Sequence, residues 1–196
     1  MPEVREDRRI QRTRELLRSA MVSLIRERGF EALTVQRIID RANVGRSTFY
    51  AHFKSKEDLL TGSVEMMRST LKRIQLRVAA TTSSPRDRMF AFAHELFAHA
   101  EQHRDVFAAM VGKRSGAVFE RHLHQMLVDL VRSDVDSTAS RKKRDKAQVE
   151  AVVQFVAGGL LGLLVSWQEA LTQVSVDDLD VLFRRMAVPA VESVLS

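Results

Sequence analysis

The 196-residue sequence contains no cysteine and only three prolines, at positions 2, 85 and 189. The absence of cysteine excludes disulfide bonds, thiol catalysis and thiolate metal ligands. So few prolines leave long stretches in which a helix need not be interrupted. The longest apolar run, Phe155 to Val165, is shorter than the roughly 20 residues that a helix needs to cross a bilayer. Because the charged N-terminus also lacks the apolar core of a secretory signal, we expect a cytoplasmic, mostly helical protein with no membrane segment.

Basic residues outnumber acidic ones, with 31 Lys and Arg against 25 Asp and Glu and a net charge of +6. The isoelectric point is about 10.1. Such an excess favours a polyanionic partner, nucleic acid among them. Hydrophobic residues make up 45% of the chain, which is enough to build a packed core.

The segment of residues 34–58 has the pattern of two helices joined by a tight turn. Thr34 is a good N-cap residue because its hydroxyl can accept a hydrogen bond from an amide of the first helical turn. The tripeptide Asn43-Val44-Gly45 then ends the first helix, since asparagine and glycine tolerate left-handed backbone. A second helix, predicted over residues 46–53, would bury two phenylalanines. A short polar helix after a tight turn is typical of a helix-turn-helix, whose second helix enters the DNA major groove.

Polar and basic side chains in and around this segment are candidates for DNA contact. Arg46, at the start of the second helix, could bond guanine in bidentate fashion, and Thr48 could touch a thymine methyl group. Free amides near Lys56, in a helix capped by Ser55, could bind a phosphate together with the lysine ammonium. The residues predicted to contact DNA are Thr34, Gln36, Arg37, Gly45, Arg46, Ser47, Thr48, Tyr50, His52, Lys54 and Lys56.

The charged N-terminal stretch, residues 1 to about 9, has two interpretations. It can act as an arm that reaches the minor groove, as in other DNA-binding domains, or it can be a solvated, frayed end. The arginines concerned are Arg5, Arg8, Arg9 and Arg12.

The run from Ala20 to Leu60 resembles the N-terminal domain of the TetR (tetracycline-repressor) family of transcriptional regulators. The resemblance is carried by Arg28-Gly29-Phe30, Thr34-Val35, Ile38, Ala42, Val44-Gly45 and the block from Ser47 to Leu60, which reads STFYAHFKSKEDLL. It implies an all-α protein with a three-helix, helix-turn-helix DNA-binding domain at residues 1–54. A helical ligand-binding and dimerisation domain would follow at residues 55–196, with a helix over 55–80 connecting the two. The implied function is sequence-specific transcriptional regulation by a ligand-responsive homodimeric repressor, with operator DNA and a small-molecule inducer as partners and no other cofactor.

The rest of the chain shows apolar residues at helical spacing. We expect helices over 10–28, 85–102, 104–112, 115–135, 146–172 and from Ser175 onward, with a solvated basic loop at 137–145. Aromatic, methionine and polar side chains of this region are candidates to line a ligand cavity, although the same spacing is typical of plain core. These candidates are Phe90, His94, Phe97, Phe107, Met110, Phe119, Met126 and Trp167.

The helix predicted at 146–172 is apolar on more than one face, and such a helix is buried by a partner as well as by its own domain. Three glycines in it lack side chains and would permit a second helix to approach closely. The resemblance implies that the last two helices pair in a dimer. The predicted interface residues are Val156, Gly159, Leu160, Leu163, Leu179, Phe183 and Met186.

The sequence gives less support to two other classes of function, an enzyme and an interaction module. An enzyme would need a nucleophile, a paired acid and base, or a metal site, and the sequence contains no cysteine, no phosphate-binding glycine loop and no H-E-x-x-H pattern. His99 and His103, with Glu95 one turn earlier, could share one helical face as a metal site, or line a surface or pocket without metal. We predict neither catalytic nor metal-binding residues. The alternative is a helical dimerisation or interaction module without ligand gating.

Overall fold

The computed structural model describes residues 3–110, 116–138, 145–169 and 174–195, which form ten α-helices and no strand. The all-helical fold expected from the sequence is therefore confirmed. The side chain of Arg5 and the basic run at 141–144 lie outside the described residues. The helices are α1 (Glu3–Arg28), α2 (Val35–Ala42), α3 (Arg46–His52), α4 (Lys56–Thr81), α5 (Pro85–Arg88), α6 (Ala93–Gln102), α7 (Arg104–Met110), α8 (Gly116–Thr138), α9 (Lys146–Gln168) and α10 (Val176–Leu195).

The chain divides into two compact units. The N-terminal unit consists of Met1–Val64 together with Asp105–Glu120. The C-terminal unit consists of Glu65–Arg104 and Arg121–Ser196. The N-terminal unit therefore takes one segment from the middle of the chain, and each unit is described by itself below.

Side-chain caps fix the helix starts that the sequence predicted. The hydroxyls of Thr34, Ser55, Ser84 and Ser175 each accept a hydrogen bond from the amide three residues later, at 3.1–3.3 Å. A cap of this kind typically contributes about 1 kcal/mol to stability. The start of α1 differs from the expectation, because the helix begins at Glu3 and not at Ile10. From Glu3 onward, the basic N-terminal stretch is thus helical.

The single helix predicted over residues 85–102 is wrong, since the chain forms α5 and α6 with a break between them. At the break, Phe90 adopts a φ of 61°, a left-handed conformation that is uncommon for a bulky residue. The Phe90 amide donates to the carboxylate of Asp134 on α8 at 2.8 Å, and both residues are buried. Burial raises the pKa of Asp134 to about 6, a shift that the hydrogen bond from Phe90 partly offsets. A contact between residues far apart in the sequence thus breaks a helix that local spacing favours.

Five buried aromatic rings are linked by contacts at the centre of the C-terminal unit, among them Phe92, whose centroid lies 6.4 Å from that of Phe90. The Phe97 ring packs edge-on against Trp167 and Phe183, with centroids 6.2 and 6.4 Å apart, and Phe90 lies 5.4 Å from Phe183. The indole nitrogen of Trp167 donates to the Val174 carbonyl at 3.0 Å, so the polar atom of this buried ring is satisfied. These contacts join α6, α9 and α10 into one core.

Helix α9 is, by length and composition, apolar enough to cross a membrane, although its uninterrupted apolar run is short. The core helix of a soluble protein can have the same length and composition. In this structure one side of α9, including Val153, Leu160 and Leu164, is buried against α6 and α10. We therefore interpret α9 as a core helix of the C-terminal unit.

The outward faces of α9 and α10 differ from the predicted dimer interface. Val156, Leu160, Leu179 and Phe183 are buried inside the C-terminal unit, Leu163 is half-buried, and only Gly159 and Met186 of the predicted set are exposed. The first four residues are corrected to core positions, because their side chains already pack within their own chain. The large apolar side chains that face outward on these helices are Phe155, Val181, Leu182 and Met186.

Candidate nucleic-acid interface

Helices α2 and α3 and the turn between them form a compact pair within the N-terminal unit. Ile38 and Ile39 of α2 and Phe49 of α3 are buried in one hydrophobic core. Asn43 ends α2 in the left-handed conformation, with a φ of 52°, and Gly45 precedes the first turn of α3. Asparagine tolerates this backbone better than most residues. The predicted helix-turn-helix geometry is therefore present.

The outer face of α3 is polar and accessible. Arg46, Ser47 and Tyr50 are exposed, whereas Thr48 and His52 are half-buried. The Arg46 guanidinium lies 5.8 Å from the centroid of the Tyr50 ring, within reach of a cation–π contact. Because Phe49 is fully buried on the opposite side, the outer side chains are presented from a helix that cannot rotate freely.

A groove of about 790 Å³ runs between the N-terminal turns of α1 and the outer face of α3. Its lining residues are Arg9, Ile10, Thr13, Ser47, Thr48, Ala51 and His52. Arg9 and Thr13 thus share one surface with the start of α3, which sequence reasoning missed for Thr13. Their four-residue spacing on a helix was the available signal, since residues i and i+4 face the same side.

Two predicted DNA contacts on α2 have partners inside the protein. The Gln36 amide donates to Asp40 at 2.8 Å, and the Arg37 guanidinium donates to the Ala32 carbonyl at 2.5 Å. Both side chains are nevertheless exposed. Exposed hydrogen bonds of this kind contribute little net stability and can be exchanged for contacts to a ligand. Gln36 and Arg37 therefore stay candidates for phosphate contact.

Lys56 requires a correction, because its ammonium points into the N-terminal unit. The Nζ atom donates to the carbonyls of Phe30, Glu31 and Leu33 at 3.1, 3.4 and 2.9 Å. It also lies 4.6 Å from the centroid of the Phe30 ring. An ammonium group has three N–H donors, and here three carbonyls receive them. The side chain of Lys56 is thus committed to the loop between α1 and α2, and we remove it from the predicted DNA-contact residues.

An ion pair braces α2 against α1. Arg41 binds the Glu27 carboxylate in bidentate fashion, at 2.7 and 2.8 Å, and also donates to the Ser23 hydroxyl at 2.6 Å. The Arg41 hydrogen bond lowers the pKa of Glu27, and the same bond raises the pKa of Arg41. The planar fork of arginine fixes the orientation of such a pair better than lysine would. The brace therefore helps to set the angle of the helix that supports α3.

Two family models match this chain. The model described as "Bacterial regulatory proteins, tetR family" matches residues 17–61, and the model described as "Transcriptional regulator C-terminal region" matches residues 87–188. The second match alone spans more than half of the sequence. The chain belongs to the TetR family of bacterial transcriptional regulators. The resemblance noted in the helix-turn-helix segment is confirmed, and the protein is called the regulator below.

Individual relatives are distant. YxbF of Bacillus subtilis strain 168, an uncharacterized HTH-type transcriptional regulator, is 37% identical over 60 residues, which cover 30% of this chain and 16% of that protein. A TetR-family regulator from Syntrophomonas wolfei shares the fold with a TM-score of 0.71 and 16% identity, over 93% of this chain and 96% of that one. Thermus thermophilus FadR, a TetR-family repressor solved with lauroyl-CoA, gives a TM-score of 0.67 and 18% identity, over 90% and 94%. At such identities these structures show a common fold alone.

The predicted ligand-lining residues do not lie together. Phe107, Met110 and Phe119 belong to the N-terminal unit, where Met110 is fully buried in the same core as Phe49. His94 is on the surface, with its Nε2 atom 2.8 Å from an oxygen of Asp177. Those four residues are corrected, because none of them belongs to the interior of the C-terminal unit. Phe90, Phe97, Met126 and Trp167 are buried in the C-terminal unit.

His99 on α6 and His103, the residue that follows the end of that helix, lie next to each other. Among the described residues, no group of three or more His, Asp or Glu side chains is placed to hold a metal ion. The rings of His99 and His103 lie 4.4 Å apart, and burial, together with the neighbouring His103, lowers the pKa of His99 to about 4. His99 is therefore neutral at physiological pH.

Proposed function

We propose that the regulator is a cytoplasmic, homodimeric repressor that binds a specific operator and releases it when a small molecule enters the C-terminal unit. The proposal of operator binding rests on the accessible polar face of α3, which the buried side chain of Phe49 holds in place. Arg46, Ser47 and Thr48 occupy the first turn of that helix, the part that meets base edges in other helix-turn-helix proteins.

We assign contacts with DNA phosphates to residues around the first turn of α3. Arg9 and Lys54 offer basic groups near the exposed face of α3, and Thr13 and Tyr50 offer hydroxyl groups. In the free protein the Thr13 hydroxyl donates to the Arg9 carbonyl at 3.0 Å, an exposed bond that a phosphate can replace. Such groups fix the register of a protein on the duplex without reading its sequence. The revised interface excludes the Lys56 ammonium and adds Thr13.

Replacing Arg46 with alanine is expected to weaken operator binding by about 1–3 kcal/mol and to relax preference at one base position. The reason is the loss of a bidentate donor to guanine. The duplex that the wild-type protein selects from a random library serves as operator, and fluorescence anisotropy measures its affinity. Arg121→Ala, at an exposed arginine on α8, is the matched control and should bind normally. If the wild-type protein and the Arg46→Ala variant bound the selected duplex with equal affinity, the proposed reading of bases by α3 would be contradicted.

Dimerisation is supported by the outward faces of α9 and α10. Phe155 and Val181 are 67% and 64% exposed, and Leu182 and Met186 are also exposed on α10. Soluble monomers seldom expose several large apolar side chains on two helices that pack against each other, as α9 and α10 do. Gly159 is exposed as well, and a Cβ atom built there meets no other atom within 4 Å. We assign this surface to a second copy of the chain, because operator half-sites about 34–36 Å apart require two linked DNA-binding units.

Ligand gating is supported by the mixed character of the Trp167 region. The buried indole packs against Phe97, and the Arg104 guanidinium lies 5.0 Å from its centroid. The buried amide of Gln168 donates to the Ala100 carbonyl at 2.8 Å. A ligand that opened this closely packed region would meet apolar rings, a cation and an amide, which together suit an apolar molecule with an anionic or polar end. The FadR neighbour was solved with lauroyl-CoA, a molecule of this general class.

We expect such an inducer to change Trp167 fluorescence and to weaken operator binding by roughly 5–150-fold. By thermodynamic reciprocity, saturating operator should weaken inducer binding by the same factor. Titration of candidate acyl-CoA and aromatic acids with and without operator measures both quantities. A compound that binds equally well in the two states would favour the alternative, a dimerisation module without ligand gating.

A further inference from the structure

We propose that Lys56 is a positioning residue for operator reading. Its ammonium group holds the loop between α1 and α2 and thereby sets the orientation of α2 and α3. The inference rests on the proposed DNA-binding function and assigns Lys56 a role other than phosphate contact. In this role Lys56 touches no DNA and acts through the protein backbone.

The hydrogen bonds at Lys56 use all three N–H donors of its ammonium group. Three carbonyl oxygens, from Phe30, Glu31 and Leu33, lie within 3.4 Å of Nζ, and the Phe30 ring covers the group at 4.6 Å from its centroid. The lysine side chain is half-buried. Each hydrogen bond from a charged group is stronger than one between neutral groups. Turning the ammonium toward a phosphate would break all three bonds and leave the carbonyls without these donors.

The loop that Lys56 holds leads directly into the DNA-binding helices. It begins at Gly29, which has a φ of 72°, and ends at the N-cap of α2, Thr34. Arg37 binds the carbonyl of Ala32, which Lys56 does not reach. Lys56 therefore holds three of the four carbonyls at residues 30–33, and the fourth is bound by the exposed, exchangeable guanidinium of Arg37. The path and the starting angle of α2 depend on this arrangement, and α3 follows α2 after a turn of three residues.

The other end of the contact is the first turn of α4, which is itself rigid. The Ser55 hydroxyl accepts from the Asp58 amide, and the Asp58 carboxylate accepts from the Lys54 amide at 2.8 Å. Leu59 and Leu60 are buried in the core of the N-terminal unit. Lys56 thus ties a fixed helix start to a short turn. That turn is also held by the hydrogen bond from the Leu33 amide to the Phe30 carbonyl at 3.1 Å and by the buried side chains of both residues. Loss of the tie is expected to leave the unit folded while α2 and α3 sample more than one orientation.

If Lys56 has this role, its substitution should weaken binding to the operator more than binding to other DNA. Base readout needs side chains placed within a fraction of an ångström, whereas non-specific binding depends on the number of phosphates neutralised. A misaimed α3 should therefore lose affinity for the operator and keep most of its affinity for other DNA. A lost phosphate contact would weaken binding to all duplexes alike and lower the salt slope by about one.

The test compares Lys56→Met with Lys54→Met in the full-length protein. The selected duplex and a scrambled duplex of the same composition are titrated by anisotropy at several salt concentrations. We expect Lys56→Met to lose at least about tenfold on the selected duplex, to change less than about twofold on the scrambled one, and to keep the wild-type salt slope. Lys54, two residues away and exposed, is the matched control. Its substitution should weaken both duplexes and lower the slope by about one.

Three results would overturn the inference. One is a salt slope lowered by about one in Lys56→Met with equal weakening on both duplexes, and another is unchanged selectivity in a folded variant. The third is wild-type hydrogen exchange of α2 and of the loop before it in Lys56→Met, because loss of these hydrogen bonds must loosen the loop if Lys56 positions it. If Lys56→Met does not fold, Lys56→Gln, which retains two donors, carries the same comparison. A wild-type protein that selects no duplex would instead contradict the proposed function itself.

Discussion

Replacing Phe155 with glutamate is expected to convert the regulator into a folded monomer that binds its operator at least about a hundredfold more weakly. Phe155 is the most exposed large apolar side chain on α9, so the free chain tolerates a charge there. A second copy packed against this face would have to bury that charge without a partner, which is strongly unfavourable. Two DNA-binding units joined in a dimer gain roughly 10²–10⁴ in operator affinity over one, and a monomer forfeits that gain.

Sedimentation velocity gives the oligomeric state, and anisotropy gives the affinity. Gly159→Glu is a second probe of the same face, because the position is exposed and a Cβ atom meets nothing within 4 Å. The control is Leu76→Glu, which adds the same charge at a leucine on α4 that is 61% exposed. It should stay dimeric. A Phe155→Glu protein that remains a dimer with normal operator affinity would exclude this surface as the interface.

The second large effect is expected at Met110, which the sequence suggested as a ligand-lining residue. The side chain is fully buried among the core residues of α1 to α4. Met110→Ala is expected to lower the free energy of unfolding by about 2–5 kcal/mol, through lost burial and the cavity that remains. The damage should be concentrated in the helix-turn-helix, so amides of α1–α3 should exchange hydrogen faster.

Denaturant unfolding and hydrogen exchange by mass spectrometry measure this effect. Met126→Ala, on α8, removes the same atoms from the core of the C-terminal unit and is the matched control. Its exchange should rise in the C-terminal unit and stay near wild type in α1–α3. Unchanged protection of α1–α3 in Met110→Ala would show that Met110 does not support the DNA-binding helices.

The helix-turn-helix could be predicted from the sequence because its determinants are local. Thr34 caps the helix that follows it, Asn43 accepts left-handed backbone, and Phe49 and Phe53, four positions apart, are both buried. Each of these features acts within a few residues along the chain. Local patterns of this kind therefore recovered the bounds of α2 to within a residue and those of α3 to within one or two.

The sequence-based predictions were wrong where contacts between residues far apart in the sequence determine the structure. The break before α6 depends on the Phe90 amide and Asp134, which are 44 positions apart, and the burial of Lys56 depends on a loop about 25 positions earlier. Spacing along one helix cannot reveal such contacts. The same limit affects the dimer face, since α9 is apolar on both sides. Hydropathy did not distinguish Leu160, which packs inside the unit, from Phe155, which faces out.

The inclusion of residues 105–120 in the N-terminal unit has a consequence for synthesis of the protein. The helix-turn-helix is complete in sequence once Val64 has been translated, yet its core lacks Met110 until much more of the chain has left the ribosome. Bacterial-type synthesis at roughly 5–20 residues per second makes that delay several seconds. During it, the apolar side of α1–α3 has no complete cover and is exposed to chaperones. A fragment ending at residue 64 would remain in that unfinished state permanently, so the DNA-binding helices of this regulator should not be transplanted without the segment that closes their core.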